Sequence, residues 1–474
     1  MTKPNILLIV LDSARTDYIK QYANELMEIS QGGVFYEHAV APARWSLPSH
    51  ASIFSGKLPS EHEIFYDGQN LSAPLVDELN SEGYTTSGFS ANPYASERCS
   101  FDQPFDIFEE PTRYEESGFK PAEYDSVHNG LWHYSDVVKQ ALLNDHPIAS
   151  IKNVAVDSCL KLGLINGDQR THNTFQRATK FLRQYSSNSP FFTFINLMST
   201  HSPYQPSAQR QWRVSNRIHK QDYIEHLNNS FVRPPEFLEK YYSTTHEINE
   251  THLQNIKDLY KSEVKNASIY ASRLYKTVKE VQNDRDTLVV ITADHGQALG
   301  EPEYNGERRM GHVETVSDNV LKVPLLILHP DINDIPDGTA ELRSIFNLCR
   351  NAAVEKNEEV TSVIERSDIC ISECPATGNE DYLNRNNIPD RVNDLQAKIH
   401  TVVGYYDNMK YMERSNGEQV FWKASSEESI EAAPSILIEA VQDRLTDLKK
   451  ANKGHRPADP EDETKKRLKD LGYI

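Results

Sequence analysis

The chain alternates short apolar runs with longer amphipathic segments. Four apolar runs are rich in β-branched residues, leucine or phenylalanine: residues 6–11, 191–197, 287–292 and 323–328. Such runs are typical of strands that are buried on both faces of a sheet. Between them, apolar positions recur at helical spacing over residues 171–185 and, most regularly, from Ile256 to Val281. This alternation predicts a doubly wound, mostly parallel α/β sheet.

The same pattern assigns elements along the rest of the chain. It predicts helices over residues 18–30, 48–54, 74–80 and 135–143 and strands over residues 34–40 and 84–89. The interval 293–322 separates two predicted strands, so it should be a long excursion at a strand end.

Beyond about residue 330 the pattern weakens. It still predicts short strands over 369–372 and 400–406, a hairpin that turns at Asn416-Gly417, and a charged helix from Glu461. We therefore predict a catalytic α/β domain over residues 1–330. Residues 331–474 should complete it with a small subdomain of a β-hairpin and a helix.

Composition narrows the possible partners and location. The 69 acidic and 50 basic residues give a formal net charge of −19, which disfavours nucleic acid or an anionic membrane as a partner. The five cysteines are scattered and odd in number, so we expect no disulfide framework. The first apolar run ends at Asp12, and no apolar stretch approaches the roughly 18 residues of a membrane span. We expect a cytoplasmic protein.

Polar residues that suit a metal ion follow three of the predicted strands. Asp12 ends the first strand, Asp294 and His295 follow the strand 287–292, and His201 follows the strand 191–197. Ligands collect beyond the carboxyl ends of parallel strands, so these residues should converge. Two carboxylates and an imidazole suit Ca²⁺, Mn²⁺, Mg²⁺ or Zn²⁺. Taken singly, Asp12 could be a helix N-cap, Asp294 a turn residue and His295 a packed imidazole.

Ser46 is the candidate nucleophile. It lies just before a predicted helix start, where backbone N–H groups and the helix dipole stabilise an anion. A metal ion held by Asp12, Asp294 and His295 could lower the pKa of its hydroxyl. The alternative is that Ser46 only caps the helix.

Four segments resemble signatures of the sulfatase family in the alkaline phosphatase superfamily. The opening segment, residues 4–15, is similar to the first strand of sulfatases, and Ser46–Gly56 is similar to their signature C/S-x-P-x-R followed by T-G. Residues 198–204 (Met-Ser-Thr-His-Ser-Pro-Tyr) resemble M-D-P-H-x-P-Y. Residues 292–296 (Thr-Ala-Asp-His-Gly), with Gly311-His312 and the Val-Pro-Leu-Leu-Ile run that ends at residue 327, resemble D-H-G, G-H and V-P-L-I. The matches span nearly the whole chain in the family's order.

The resemblance implies a fold and a reaction. The fold would be alkaline-phosphatase-like, with a large, mixed but mostly parallel sheet sandwiched by helices and a smaller C-terminal subdomain. The reaction would be hydrolysis of a small anionic sulfuric ester through a covalent intermediate at residue 46. Asp12, Ser46, Asp294 and His295 would bind one divalent metal ion, with Ser46 also the nucleophile.

The resemblance also implies roles for three further histidines. His201 and His312 match positions that contact the charged oxygens of the substrate or its leaving group, where a positive imidazole would stabilise negative charge. His50 stands where many sulfatases carry arginine, and we include it among the catalytic candidates. As an alternative, each of these could be an ordinary loop or structural histidine.

Two departures from the family pattern leave other functions open. Sulfatases generally use formylglycine, made from Cys or Ser within a motif that includes the arginine that His50 replaces. Ser13 stands where many sulfatases have another metal-binding Asp. Unmodified Ser46 would suit a phosphatase, phosphodiesterase or phosphotransferase, because water can attack a phosphoserine at phosphorus. A third hypothesis is a non-catalytic binding protein on a sulfatase fold.

Overall fold

The computed structural model describes residues 3–66, 68–121, 131–185, 189–219, 224, 250–281, 285–303, 306, 308–313, 315–330, 339–354, 368–376 and 398–452. Its helices are α1 (Thr16–Tyr22), α2 (Asn24–Ser30), α3 (Ser46–Ser55), α4 (Pro59–His62), α5 (Pro74–Ser81), α6 (Leu131–Leu143), α7 (Pro147–Lys161), α8 (Gln169–Gln184), α9 (Ala208–Ser215), α10 (Glu250–Val281), α11 (Asp318–Leu321), α12 (Ser344–Val354) and α13 (Ser435–Ala451).

The strands are β1 (Asn5–Leu11), β2 (Val34–Val40), β3 (Thr85–Ser90), β4 (Ile107–Glu109), β5 (Phe191–Leu197), β6 (Thr287–Thr292), β7 (Ala298–Pro302), β8 (Arg308–Gly311), β9 (Lys322–Leu328), β10 (Cys370–Cys374), β11 (Thr401–Tyr406), β12 (Met409–Arg414), β13 (Gln419–Lys423) and β14 (Ser426–Glu428). The charged helix predicted from Glu461 lies outside the described residues.

A seven-stranded sheet in the order β2-β9-β6-β1-β5-β3-β4 forms the centre of the fold. Strands β6, β1, β5, β3 and β4 run parallel to one another, and every residue of β1 and β5 is buried. Two groups of mutually packed helices flank the sheet: α1, α2, α8 and α10 form one, and α3, α5 and α12 form the other. The predicted mixed, mostly parallel α/β fold is confirmed.

Strand β9 supplies the antiparallel part of this mixed sheet. It runs antiparallel to both β6 and β2 instead of continuing the parallel order. A parallel neighbour needs a crossover connection, usually through a helix, whereas an antiparallel neighbour does not. Between β6 and β9 the described residues contain only the two-stranded β7–β8 ribbon and the four-residue helix α11. The chain therefore returns beside β6 in the opposite direction.

Two predicted helices differ from the observed ones. The helix predicted over 18–30 is two helices, because Ala23 has ψ of 61°, outside the helical range, and its carbonyl accepts hydrogen bonds from the N–H groups of Leu26 and Met27. Helix α3 begins at Ser46 instead of Pro48, and the extended residue Trp45 precedes it. Ser46 is thus inside the first helical turn.

The C-terminal part contains a five-stranded antiparallel sheet, β10 to β14, on which α13 packs. The hairpin predicted at Asn416-Gly417 is confirmed as β12–β13, whereas α13 was not predicted. Glu373 in β10 joins this sheet to helix α4, since its carboxylate accepts hydrogen bonds from the N–H and Oγ of Ser60. The division of the chain at residue 330 stays a prediction.

Two expectations concern the described residues as a whole. All five cysteines are free thiols. Within the described ranges, none of the helices has the length and apolar character that crossing a membrane requires.

Candidate active site

Three segments meet at the carboxyl edge of the sheet around Ser46. Asp12 follows β1, Asp294 and His295 follow β6, and Ser46 opens α3. The Oγ of Ser46 lies 3.3 Å from Oδ2 of Asp12 and 3.3 Å from Nε2 of His295. All four side chains are buried. The predicted metal-binding and nucleophilic residues therefore form one buried cluster.

Backbone amides hold one oxygen of Asp294 and leave the other open. Its Oδ1 accepts hydrogen bonds from the N–H of Ser13 (3.2 Å) and of His295 (2.9 Å). Within the described chain, its Oδ2 makes no hydrogen bond, although it is fully buried. A buried carboxylate oxygen without a donor is costly unless a cation offsets its charge.

Asp12 is oriented from two sides. Its Oδ2 accepts a hydrogen bond from Nδ2 of Asn92 (2.5 Å), and its Oδ1 accepts one from Oγ of Ser13 (2.9 Å). Burial, together with the nearby charge of Asp294, raises the pKa of Asp12 to about 7. Ser13 thus supports the Asp12 carboxylate through its hydroxyl.

The donor set fits a divalent cation. Asp12, Asp294 and His295 each offer a ligand atom, and these atoms lie within 4.8 Å of one another. Nδ1 of His295 lies 2.8 Å from the carbonyl of Gly296. Because a carbonyl only accepts, Nδ1 carries the proton and the Nε2 lone pair faces Ser46 and the carboxylates.

His201 and His312 extend the site away from Ser46. The rings of His295 and His312 lie 4.2 Å apart, and those of His312 and His201 lie 5.5 Å apart. Nδ1 of His312 contacts Oε1 of Gln297 at 2.9 Å. Burial lowers the pKa of His201 to about 4 and lowers the pKa of His312 well below its ordinary value. Both rings are therefore neutral at pH 7, rather than positive as the sequence suggested.

His50 lies beneath the nucleophile. Its Nδ1 contacts the Ser46 carbonyl one helical turn earlier (2.8 Å), and its Nε2 contacts Nδ2 of Asn196 (3.2 Å). The ring is fully buried, and its Nδ1 is 3.7 Å from Oδ2 of Asp294. Both ring nitrogens are thus engaged by groups of the protein.

A comparison with protein families shows to which family the chain belongs. The model of the sulfatase family matches residues 4–363, most of the chain. The chain belongs to the sulfatase family. Sulfatases and the related phosphonate monoester hydrolases cleave ester bonds, so this chain is a hydrolase of that kind, which disfavours the non-catalytic hypothesis. Members of the sulfatase family generally use a metal ion, and the Asp12, Asp294 and His295 group could hold one.

Solved structures share the sulfatase fold over nearly their whole length. The phosphonate monoester hydrolase of Agrobacterium radiobacter has a TM-score of 0.62 at 14% identity, covering 94% of this chain and 96% of its own. BT4656, solved with its substrate D-glucosamine-2-N,6-O-disulfate, has a TM-score of 0.60 at 15% identity, covering 97% and 100%. BT1596, a 2-O GAG sulfatase, has a TM-score of 0.58 at 14% identity, covering 97% and 95%. None of the curated proteins matches the chain by sequence.

Sequence reasoning missed three residues of this sulfatase-family site. Asn92 follows β3, so the strand-end rule that selected Asp12 would also have selected it. Gln297 lies two residues beyond His295 and contacts His312. Arg44 is buried two residues before Ser46, and its charge helps to lower the pKa of His312. No pattern in the sequence distinguishes Arg44 from an ordinary loop arginine.

Proposed function

We propose that this chain hydrolyses small anionic esters, with sulfuric esters as the first candidate, through a covalent intermediate on residue 46. One observation carries the proposal: the Ser46 hydroxyl lies in the first turn of α3, 3.3 Å from both Asp12 and His295. N–H groups at a helix start stabilise an anion, so the same position suits the charged group of the ester.

Asp12, Asp294 and His295 would hold a divalent cation, with Ser46 beside it. The open Oδ2 of Asp294 and the raised pKa of Asp12 support this, because a cation would both contact the buried oxygen that lacks a donor and offset the repulsion between the two buried carboxylates. When bound, the ion would lower the pKa of the Ser46 hydroxyl and offset the charge of the ester. Asn92 and Ser13 keep the Asp12 carboxylate oriented toward this position.

The reaction would have two steps, and groups of the protein can carry the protons that move in each. In the first, Oγ of Ser46 bonds to sulfur or phosphorus, the bond to the ester oxygen breaks, and the serine proton ends on the leaving alcohol. In the second, water takes the place of Ser46 and returns a proton to it. Neutral imidazoles can carry these protons, and His201 and His312 are the candidates, since their lowered pKa values keep them uncharged.

A second candidate is hydrolysis of phosphoric or phosphonic esters by unmodified Ser46. The observation that favours it is His50, which occupies the signature's arginine position and is fully buried. Without that arginine, conversion of Ser46 to formylglycine loses its signature. A serine sulfate has no second hydroxyl to expel sulfate, whereas a phosphoserine can be attacked by water at phosphorus.

Mass spectrometry and a substrate screen together test the two candidates. Trypsin should release a peptide from Trp45 to Lys57, and formylglycine would make it lighter by two hydrogens. Aryl sulfate, aryl phosphate, aryl phosphonate and bis-aryl phosphate would be compared with Ca²⁺, Mn²⁺, Mg²⁺ and Zn²⁺. A modified peptide with aryl sulfate turnover supports the first candidate, and an unmodified peptide with phosphorus ester turnover supports the second. No turnover of any ester would contradict both.

A further inference from the structure

Helix α7 reverses the usual distribution of polar and apolar residues on a surface helix. A surface helix ordinarily buries its apolar stripe and exposes its polar face. The residues that α7 buries are all polar, namely Ser150, Asn153 and Asp157. Its exposed residues, together with its C-cap, include an apolar stripe of Ile148, Ile151, Ala155 and Leu162. At about 100° per residue, this stripe spans an arc of about 60°, and the buried polar residues lie on the opposite side of the helix.

The polar face of α7 is held by main-chain groups of the segment that precedes α6. The side-chain amide of Asn153 accepts a hydrogen bond from the N–H of Glu115 (2.8 Å) and donates to the carbonyls of Glu115 (2.9 Å) and Phe119 (3.1 Å). The Oγ of Ser150 accepts a hydrogen bond from the N–H of Phe119 (2.9 Å). These contacts fix the rotation of α7 about its axis. The apolar stripe therefore has to point outward.

Helix α6 enlarges the exposed apolar area. Helices α6 and α7 pack on each other as a helical hairpin, and α6 buries Val137 and Ala141. Of the large apolar side chains that are exposed in the described part of the chain, half belong to this hairpin and its end. We call these residues the α6–α7 surface: Val138, Leu142, Leu143, Ile148, Ile151 and Leu162.

The area of the α6–α7 surface is close to what a stable dimer requires. Its six residues are 43–76% exposed. At about 150–200 Å² for a whole aliphatic residue, they expose roughly 650 Å², whereas the largest apolar patch of an ordinary monomer is about 300–600 Å². A stable interface buries about 800 Å² per partner, and its polar rim supplies part of that area. The surface could therefore form the apolar centre of such an interface.

The stripe of α7 is complementary to itself. Ile148 and Leu162 each lie seven residues from Ala155, one on either side. A two-fold axis at Ala155 would pair two copies of α7 in antiparallel orientation, with Ile148 of each copy facing Leu162 of the other. The small side chain of Ala155 would let the two helices approach closely at the axis. Large residues at both ends and a small residue in the middle thus suit pairing of the stripe with a second copy of itself.

We propose that two copies of this chain associate through the α6–α7 surface, so that their two hairpins form a four-helix arrangement. An anionic membrane fits this surface less well, because the chain has a net charge of −19. A helix that lies in a membrane interface also exposes a polar face rich in Lys and Arg, whereas the polar face of α7 is buried. The proposed association does not depend on hydrolysis at Ser46.

Sedimentation equilibrium of the full chain tests the proposal. We expect the wild type to sediment with twice the mass of the chain. Ile148→Lys and Leu162→Lys would each place an unpaired charge in the interface, so each should raise the dimer dissociation constant at least roughly a hundredfold. Ile436→Lys is the matched control, since Ile436 on α13 is also a largely exposed isoleucine, and it should leave the dissociation constant unchanged. Circular dichroism would verify that each variant is folded.

A cysteine at residue 155 tests where the two-fold axis lies. The background would be Cys159→Ser, because the other four cysteines are buried and Cys159 is partly exposed. Oxidation of Ala155→Cys in this background should join two copies covalently, since a residue at a two-fold axis meets its own equivalent. Ile436→Cys in the same background should stay uncrosslinked. Equal crosslinking of the two variants would overturn the axis at Ala155.

Two outcomes of sedimentation would overturn the association itself. One is a wild type that stays monomeric at every concentration tested, and the other is a dimer whose dissociation constant both lysine variants leave unchanged. Flotation with vesicles of phosphatidylcholine, with and without phosphatidylserine, gives the remaining alternative. A monomer that binds these vesicles, and loses that binding with Ile148→Lys, would assign the α6–α7 surface to a lipid and overturn the proposal.

Discussion

The hydroxyl of Tyr260 joins the long helix α10 to the turn that follows Asp12. It accepts a hydrogen bond from the N–H of Arg15 (2.9 Å) and donates one to the carbonyl of Ser13 (2.9 Å). Ser13 has a φ of +61°, a left-handed conformation that is rare for a residue with a side chain, and its N–H supports Asp294. The Tyr260 hydroxyl therefore stabilises the turn on which both carboxylates depend.

Tyr260→Phe removes one oxygen atom and keeps the ring, which packs against Tyr18 and Tyr204. The substitution leaves the N–H of Arg15 and the carbonyl of Ser13 buried without this partner. Each unpaired buried group costs about 1–3 kcal/mol, so we expect the free energy of unfolding to fall by about 2–6 kcal/mol. Because Ser13 also contacts Asp294, cation affinity should weaken as well.

Urea unfolding monitored by circular dichroism measures the stability change, and calorimetry measures cation affinity. The midpoint should fall while the slope with denaturant stays the same, as expected for a native-state effect. Tyr275→Phe is the control, since Tyr275 is a partly buried tyrosine on the same helix. A loss for Tyr260→Phe below about 0.5 kcal/mol, equal to that of the control and with unchanged cation affinity, would refute the role given to this hydroxyl.

Three further outcomes follow from buried polar groups. Burial raises the pKa of Glu263 to about 8, above the ordinary 4.5. The stability of the wild type should therefore decline relative to that of Glu263→Gln as pH rises from about 4.5 through 8. If urea unfolding gave the same pH dependence for both proteins, this prediction would be contradicted. Asn92→Leu removes the donor to Asp12 and should weaken cation binding roughly tenfold to a hundredfold by calorimetry, and an unchanged affinity would show that this contact is dispensable. Ser46→Ala should lose at least roughly a thousandfold in kcat while circular dichroism shows normal folding, and appreciable turnover would exclude Ser46 as the nucleophile.

The sequence could predict an element of the fold where one physical requirement determines the order of its apolar and polar residues. A strand buried on both faces, such as β1 or β5, has to be continuously apolar, and both were predicted within one residue of their observed bounds. Strand β9 is equally apolar, yet its direction depends on the connection 293–321 rather than on its own residues. Helix α13 was missed although its buried residues, Leu437, Val441, Leu445 and Leu448, recur at helical spacing.

The sequence could predict those site residues that follow the ends of parallel strands. Asp12, Asp294 and His295 could be expected to converge because parallel strands end at one edge, and the structure brings them together. The rule cannot reveal burial, so it could not predict that His201 and His312 are neutral. Arg44 was missed because its position beside His312 depends on tertiary packing alone.

Calorimetric titration of the metal-free protein with Ca²⁺, Mn²⁺, Mg²⁺ and Zn²⁺ tests the central claim most directly. We expect at least one of these ions to bind the wild type at one ion per chain. Ser46→Ala should retain this binding, and Asp294→Ala should lose it. Absence of binding by the wild type, or equal binding by Asp294→Ala, would contradict the claim that residues 12, 294 and 295 form the metal centre that activates Ser46.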